Sequence, residues 1–250
     1  MKLTAAQQPG YRRRMPDRPG GVAFLVRELG AYVLHGAQGL LARPRAPAPV
    51  APTVLVIHGH GGSGAAFYCL ERSLEKAGHR GIAAFEYGVH GTIDGVAADL
   101  ARFARERLGP DPVHVVAHSM GGIIARVWLA ELGGRAHARS LVTLSSPHGG
   151  LAPIPGAGLV PLVRELTAGS PLLRRLDGTT GALADLPCLA VVSRRDHFVR
   201  PWERAGFGAA RLVPVDHAGH VGVLYSRRVH RLVAEHLDAA NTVMRSATRR

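Results

Sequence analysis

At 250 residues, 46% of them hydrophobic and 20% charged, the chain can bury the core of one substantial domain, and with 2 cysteines it is no disulfide-stapled module. The 31 Lys and Arg outnumber the 18 Asp and Glu, for a formal charge of +13, but the excess is mostly arginine spread along the whole length and points to no particular partner. Aromatics make up only 5% and do not interleave with basic residues, so no nucleic-acid partner is expected.

Residues 1–20 are polar, basic and broken by Pro and Gly, which predicts a disordered tail. Arg12, Arg13, Arg14, Asp17 and Arg18 interrupt any apolar h-region, so no secretory signal is expected. The expected location is cytoplasmic or peripheral to a membrane. Over residues 21–43, Val22, Leu25, Val26, Leu29, Tyr32, Val33, Gly36 and Leu40 recur at helical spacing, predicting an amphipathic helix. Arg27, Glu28 and His35 make it a poor membrane span. Its apolar stripe would ordinarily pack on a core. The alternative is peripheral membrane contact through residues 11–41, with the basic tail beside the helix. Residues 44–52 hold four prolines, Pro44, Pro47, Pro49 and Pro52, and read as an extended linker.

A single domain is expected over residues 53–240, followed by a basic C-terminal tail at 241–250. Within it, apolar and β-branched runs at Thr53–Ile57, Ile82–Glu86, Val113–Ala117, Ser140–Leu144, Cys188–Ser193 and Leu212–Val215 alternate with helical patterns. Such alternation predicts an α/β fold, a mainly parallel sheet flanked by helices. Residues 149–186 carry no strand pattern. Pro161 can open one short helix there, and Ser170-Pro171 supplies the N-cap and first residue of another. This insertion is expected to be a small helical lid. Its apolar residues Leu159, Leu162, Val163, Leu166, Leu172, Leu173 and Leu176 would line a pocket or close the core.

The strand ending at Ala117 runs into His118-Ser119-Met120-Gly121-Gly122 and then an apolar helix. A serine on such a strand-to-helix turn projects its hydroxyl above the sheet, and the turn needs small residues two before and two after it. Here they are Ala117 and Gly121, an A-x-S-x-G variant of the commoner glycine pattern. The first strand ends in His58-Gly59-His60-Gly61-Gly62-Ser63, which fits neither phosphate-binding glycine motif. It does match the H-G-x-G-G turn that aims a backbone amide at a developing oxyanion, which assigns the donors to the N–H groups of His60 and Met120. A hydroxyl nucleophile also needs a base oriented by a carboxylate. Asp196 follows the fifth strand run and His220 the sixth, so Ser119, Asp196 and His220 occur in the order Ser, Asp, His, each just beyond a strand. The strand-end position favours Asp196 over Asp177, Asp185 and Asp216.

In combination these motifs resemble the α/β-hydrolase superfamily, in particular its bacterial, actinobacterial-like lipase and esterase branch, where small lipases also carry A-H-S-M-G. The resemblance covers about residues 53 to 237. It extends to Leu144-Ser145-Ser146-Pro147-His148-Gly149-Gly150, similar to a T-P-H-x-G run of those lipases, and to Gly219-His220-Val221-Gly222, similar to their histidine segment. Residues 163–176 are similar to a lipase lid. The resemblance favours His220 over His217, since it places the base after a glycine. It implies a serine hydrolase acting on a small-molecule or lipid ester through Ser119, Asp196 and His220, with no cofactor. An acyltransferase using the same triad, or a non-catalytic membrane-associated protein on the same fold, are the alternatives. No metal is expected, because His58, His60, His118 and His148 lack metal-binding spacing and Cys69 and Cys188 form no C-x-x-C pair.

Overall fold

Short runs of Val, Leu, Ile and Ala become the strands β1 (Val54–Ile57), β2 (Ile82–Phe85), β3 (Val113–His118), β4 (Ala138–Leu144), β5 (Cys188–Ser193) and β6 (Arg211–Val215) of one sheet in a computed structural model. The structure describes Gly30, residues 51–152, 160–208 and 210–248, with side chains as far as Thr242. The tail 1–20, the helix expected over 21–43 apart from Gly30, and all but the end of the linker 44–52 lie outside the described residues.

The strand order is β2-β1-β3-β4-β5-β6, and every neighbouring pair is parallel. The chain steps outward from β1 to β2, then returns past β1 to β3 and continues to β6. That reversal makes the gap between β1 and β3 a topological switch point, where loops leaving the carboxyl ends of the strands diverge and open a crevice.

Strand alternation divides the core between two faces. Leu55, Ile57, Val115, Ala117, Leu141 and Ala190 face α2 (Ile93–Arg107) and α3 (Met120–Glu131), while Val54, Val56, Val116, Val142, Leu189 and Val191 face α1 (Tyr68–Lys76) and α6 (Arg227–Thr248). Helix α2 begins where the Thr92 hydroxyl accepts the Gly95 amide at 3.1 Å, and it buries Ile93, Val96, Ala97, Leu100, Ala101 and Ala104 at helical spacing. Helix α3 is apolar on nearly every side because it lies at the centre of its layer, buried from Met120 through Leu129.

The insertion between β4 and β5 holds α4 (Pro161–Arg164) and α5 (Pro171–Gly178), each opened by its proline, and the Ser170 hydroxyl accepts the Leu173 amide at 3.3 Å. Leu162, Leu166, Leu172, Leu173 and Leu176 belong to the core beneath α2 and α3. Leu159 lies outside the described residues. Polar ties complete the attachment. The Glu165 carboxylate accepts the Ile93 amide at 2.7 Å, and the Arg175 guanidinium bonds Asp94 and Glu131, each at 3.1 Å. These helices are therefore built into the body of the domain.

At the other end, α6 continues to Thr248, into the segment expected as a basic tail. Its apolar positions Val229, Val233, Leu237 and Ala240 pack on the sheet, and Asn241 extends that attachment by accepting hydrogen bonds from Arg139 at 2.8 Å and from His114 at 3.1 Å.

Candidate active site

Ser119 stands between β3 and α3 with φ 51° and ψ −124°, a conformation that side-chain-bearing residues rarely adopt. The turn is held from both sides: the Ser119 amide donates to the Leu144 carbonyl at 2.9 Å, and the Gly122 amide donates to the Ser119 carbonyl at 3.1 Å. Gly121 is required by space, because a Cβ there would land on the carbonyls of Ile57 and His58. The Ala117 methyl group is fully buried in the core on the α2 and α3 face.

The Ser119 hydroxyl lies 3.0 Å from His220 Nε2, and His220 Nδ1 lies 2.8 Å from Asp196 Oδ2. Asp196 is 1% exposed, and its other oxygen accepts the amides of Phe198 at 2.8 Å and Val199 at 3.0 Å. Burial opposes its ionisation, but attraction to His220, the hydrogen bond from that imidazole and the two amides outweigh it and hold the carboxyl below its ordinary value. With Nδ1 donating to a carboxylate, Nε2 of the neutral ring is left as an acceptor for the serine proton.

Neighbouring groups hold this arrangement. His118 Nε2 donates to the His220 carbonyl at 3.0 Å, and Phe198 sets its ring edge-on to His220 at 4.8 Å between centroids. The buried Ser193 hydroxyl accepts the Arg195 amide at 2.9 Å and donates to the Ala218 carbonyl, linking the loop of the aspartate to the loop of the histidine.

The loop after β1 passes directly over the serine, since a Cβ on Gly59 would come within 3.0 Å of the Ser119 Cβ. It turns through Gly61 at φ 65°, with the Gly62 amide donating to the Gly59 carbonyl at 3.1 Å. His60 follows Gly59 on this loop with an exposed side chain. Met120 is the first residue of α3, so its amide is one of the N-terminal groups that no carbonyl of the helix accepts.

The rival residues are engaged elsewhere. His217 pairs with the Ser226 hydroxyl at 2.6 Å, Asp216 with Arg194 at 2.8 Å and Asp185 with Arg135 at 2.8 Å, while Asp177 is an exposed neighbour of Arg126 at 4.0 Å. Of the remaining histidines, His58 lies within the loop after β1. His148 joins Arg126 and Thr143 in a buried network on α3 and β4, at 3.3 and 3.2 Å. Among the described residues no three His, Cys, Asp or Glu side chains converge as metal ligands would. Cys188 is buried, which pushes its thiol up to about 12. Ser193 contributes to the site without a spacing signal, because it reaches Ala218 through the fold rather than through a motif.

A strained serine above the switch point of a doubly wound parallel sheet, within hydrogen-bond reach of a histidine held by a buried aspartate, is the arrangement of an α/β hydrolase. A family model described as the alpha/beta hydrolase fold matches residues 52–170. Among solved structures, a mature lipase of Bacillus licheniformis is similar with a TM-score of 0.63 at 16% identity, covering 77% of this chain and 94% of its own. A pyrethroid hydrolase of Sphingobium faniae is similar with a TM-score of 0.54 at 17% identity, covering 76% and 98%. A thermophilic esterase of Thermogutta terrifontis has a TM-score of 0.53 at 16% identity, covering 78% and 92%. The chain has the α/β-hydrolase fold, and residues 52–170 match the model of that family.

Proposed function

We propose that the protein is a serine hydrolase that cleaves carboxylic esters of the lipase or esterase kind. The observation that carries this is the continuous contact from Ser119 Oγ to His220 Nε2 at 3.0 Å and from His220 Nδ1 to Asp196 at 2.8 Å. Ser119 attacks the acyl carbonyl as His220 takes its proton, and Asp196 keeps the imidazole in the tautomer that can do so. The amides of His60 and Met120 hold the oxyanion of the tetrahedral intermediate. His220 then protonates the leaving alkoxide, and water, activated by the same imidazole, releases the acid from the acyl-enzyme. Every group these steps require belongs to the chain itself. Likeness to proteins described as a lipase, an esterase and a pyrethroid hydrolase is consistent with an ester as substrate.

A fluorophosphonate probe is expected to label the wild type and not Ser119→Ala. Hydrolysis of p-nitrophenyl esters of graded chain length is expected to fall on the order of 10⁴-fold or more in that variant. Folded wild type that takes no label would refute the proposal. Adding an alcohol acceptor separates hydrolysis from acyl transfer: free acid as the main product supports the hydrolase, and a transferred ester as the main product supports an acyltransferase.

Among the described residues no helix is long and apolar enough to cross a membrane. Residues 11–41 are proposed as a peripheral contact, pairing basic residues with an apolar helical stripe. Co-sedimentation with anionic vesicles that survives deletion of residues 1–43 would refute that contact.

A further inference from the structure

The loop that carries His60 is gripped from one side by two consecutive residues at the end of β2. Tyr87 donates its phenolic proton to the His58 carbonyl at 2.7 Å and its amide to His58 Nε2 at 3.3 Å, and its ring stacks on the His58 imidazole at 4.1 Å with an interplanar angle of 5°. Glu86 accepts the Gly64 amide at 2.8 Å with one carboxylate oxygen, and its other oxygen lies 3.4 Å from His58 Nε2. The dipeptide therefore holds the loop at residue 58 and again at residue 64. Gly59 and His60 lie between these two anchors.

The consequences reach the serine by contact. The His58 carbonyl gripped by Tyr87 is one of the atoms that a Cβ on Gly121 would strike, and Gly59 packs against the Ser119 side chain. His58 is 1% exposed, and its imidazole cannot shift without displacing Tyr87. A hydrogen bond to a developing oxyanion is worth its full value only if the amide is already in place when charge appears. An amide on a glycine-rich surface loop needs outside support for that.

We propose that Glu86 and Tyr87 are positioning residues for the oxyanion hole: together they fix the 58–64 loop so that the His60 amide meets the transition state at Ser119. The proposal rests on reading the protein as a serine ester hydrolase. Neither side chain is required to touch substrate. Both act through the backbone of the loop, so they govern turnover and leave ground-state binding largely unchanged.

The test is steady-state hydrolysis of a p-nitrophenyl ester by full-length Tyr87→Phe, Glu86→Ala and Glu86→Gln, together with inhibition by an alkylboronic acid, whose adduct with the serine imitates the tetrahedral intermediate. Tyr87→Phe keeps the ring stack and loses only the hydroxyl. It is expected to lower kcat about 10- to 100-fold, leave KM within about twofold, and weaken boronate inhibition by the same factor as kcat. Glu86→Ala is expected to behave likewise, and Glu86→Gln, which keeps an acceptor for the Gly64 amide, to recover most of the loss. The Glu86 side chain is 54% exposed, so Glu86→Ala carries the test if Tyr87→Phe does not fold. Labelled, active wild type together with folded variants of unchanged kcat would overturn the clamp alone, as would variants that raise KM at constant kcat. Folded wild type that takes no fluorophosphonate label would overturn the hydrolase reading and the clamp with it.

Discussion

Asp196 is the side chain whose environment is most completely specified. One oxygen accepts from His220 and the other accepts two backbone amides, in a position 1% exposed to solvent. Asparagine would fit the space but would present an amide to the imidazole and favour the wrong tautomer. Asp196→Asn is therefore expected to fold and to lose about 10⁴-fold in kcat, measured with the same ester substrate. Because the folded carboxyl titrates below its ordinary value, it contributes stability at pH values above its unfolded pKa of about 3.9. That contribution disappears as the pH falls through the folded value. Its own titration therefore places no activity limb between about pH 5 and 8.

At the level of elements, the position of the serine depends on how closely α3 approaches the end of β1. Gly121 permits that approach, and Gly121→Ala is expected to destabilise the fold by about 3 kcal/mol and to abolish labelling of Ser119. Urea unfolding and probe labelling would report the two effects separately. The insertion is attached by a polar contact of a different kind, in which Glu165 satisfies an amide at the N-terminus of α2 that the helix cannot satisfy itself. Glu165→Ala is expected to cost about 1 kcal/mol in urea unfolding, with kcat nearly unchanged, because the leucines beneath α4 and α5 still hold the insertion to the core.

Across the whole molecule, α6 and the sheet are joined by a buried polar cluster as well as by apolar packing. His114 on β3 contacts Ser140 at 2.8 Å and Asn241 at 3.1 Å, and His79 meets its ring edge-on at 5.7 Å. Burial first, then the charges of His79, Arg139 and His236, against the hydrogen bond to Asn241, take the His114 imidazole down to about 3. The unfolded chain accepts a proton on this residue below about pH 6.5, whereas the folded chain does so only near the lowered value. Stability therefore falls as the pH drops between those limits, by at most about 1.4 kcal/mol per pH unit from this group. Urea unfolding at a series of pH values is expected to show that slope, and His114→Asn to flatten it. An unchanged slope in the variant would exclude His114 as its source.

The strand runs, the order Ser119, Asp196, His220 and the glycine loop at 58–63 were all readable along the chain. Alternating hydrophobicity and the turn requirements of small residues are local properties, and local spacing records them. The strand boundaries differ from the expected runs by two residues at most, as where β4 begins at Ala138 instead of Ser140. The extension of α6 through residue 241 was not readable, because it depends on Asn241 meeting Arg139 and His114 across the sheet. Nor was the burial of the insertion's leucines, whose helical spacing suits a pocket wall and a core equally well. Glu86 and Tyr87 look like the unremarkable end of a strand until β2 pairs with β1 and brings them beside His58. The sequence by itself determined which chemical groups stand at the strand ends. Only the tertiary structure decided which of them meet, because hydrogen bonds and close contacts between residues 20 to 130 positions apart depend on strand order and helix docking, which leave no period in the chain.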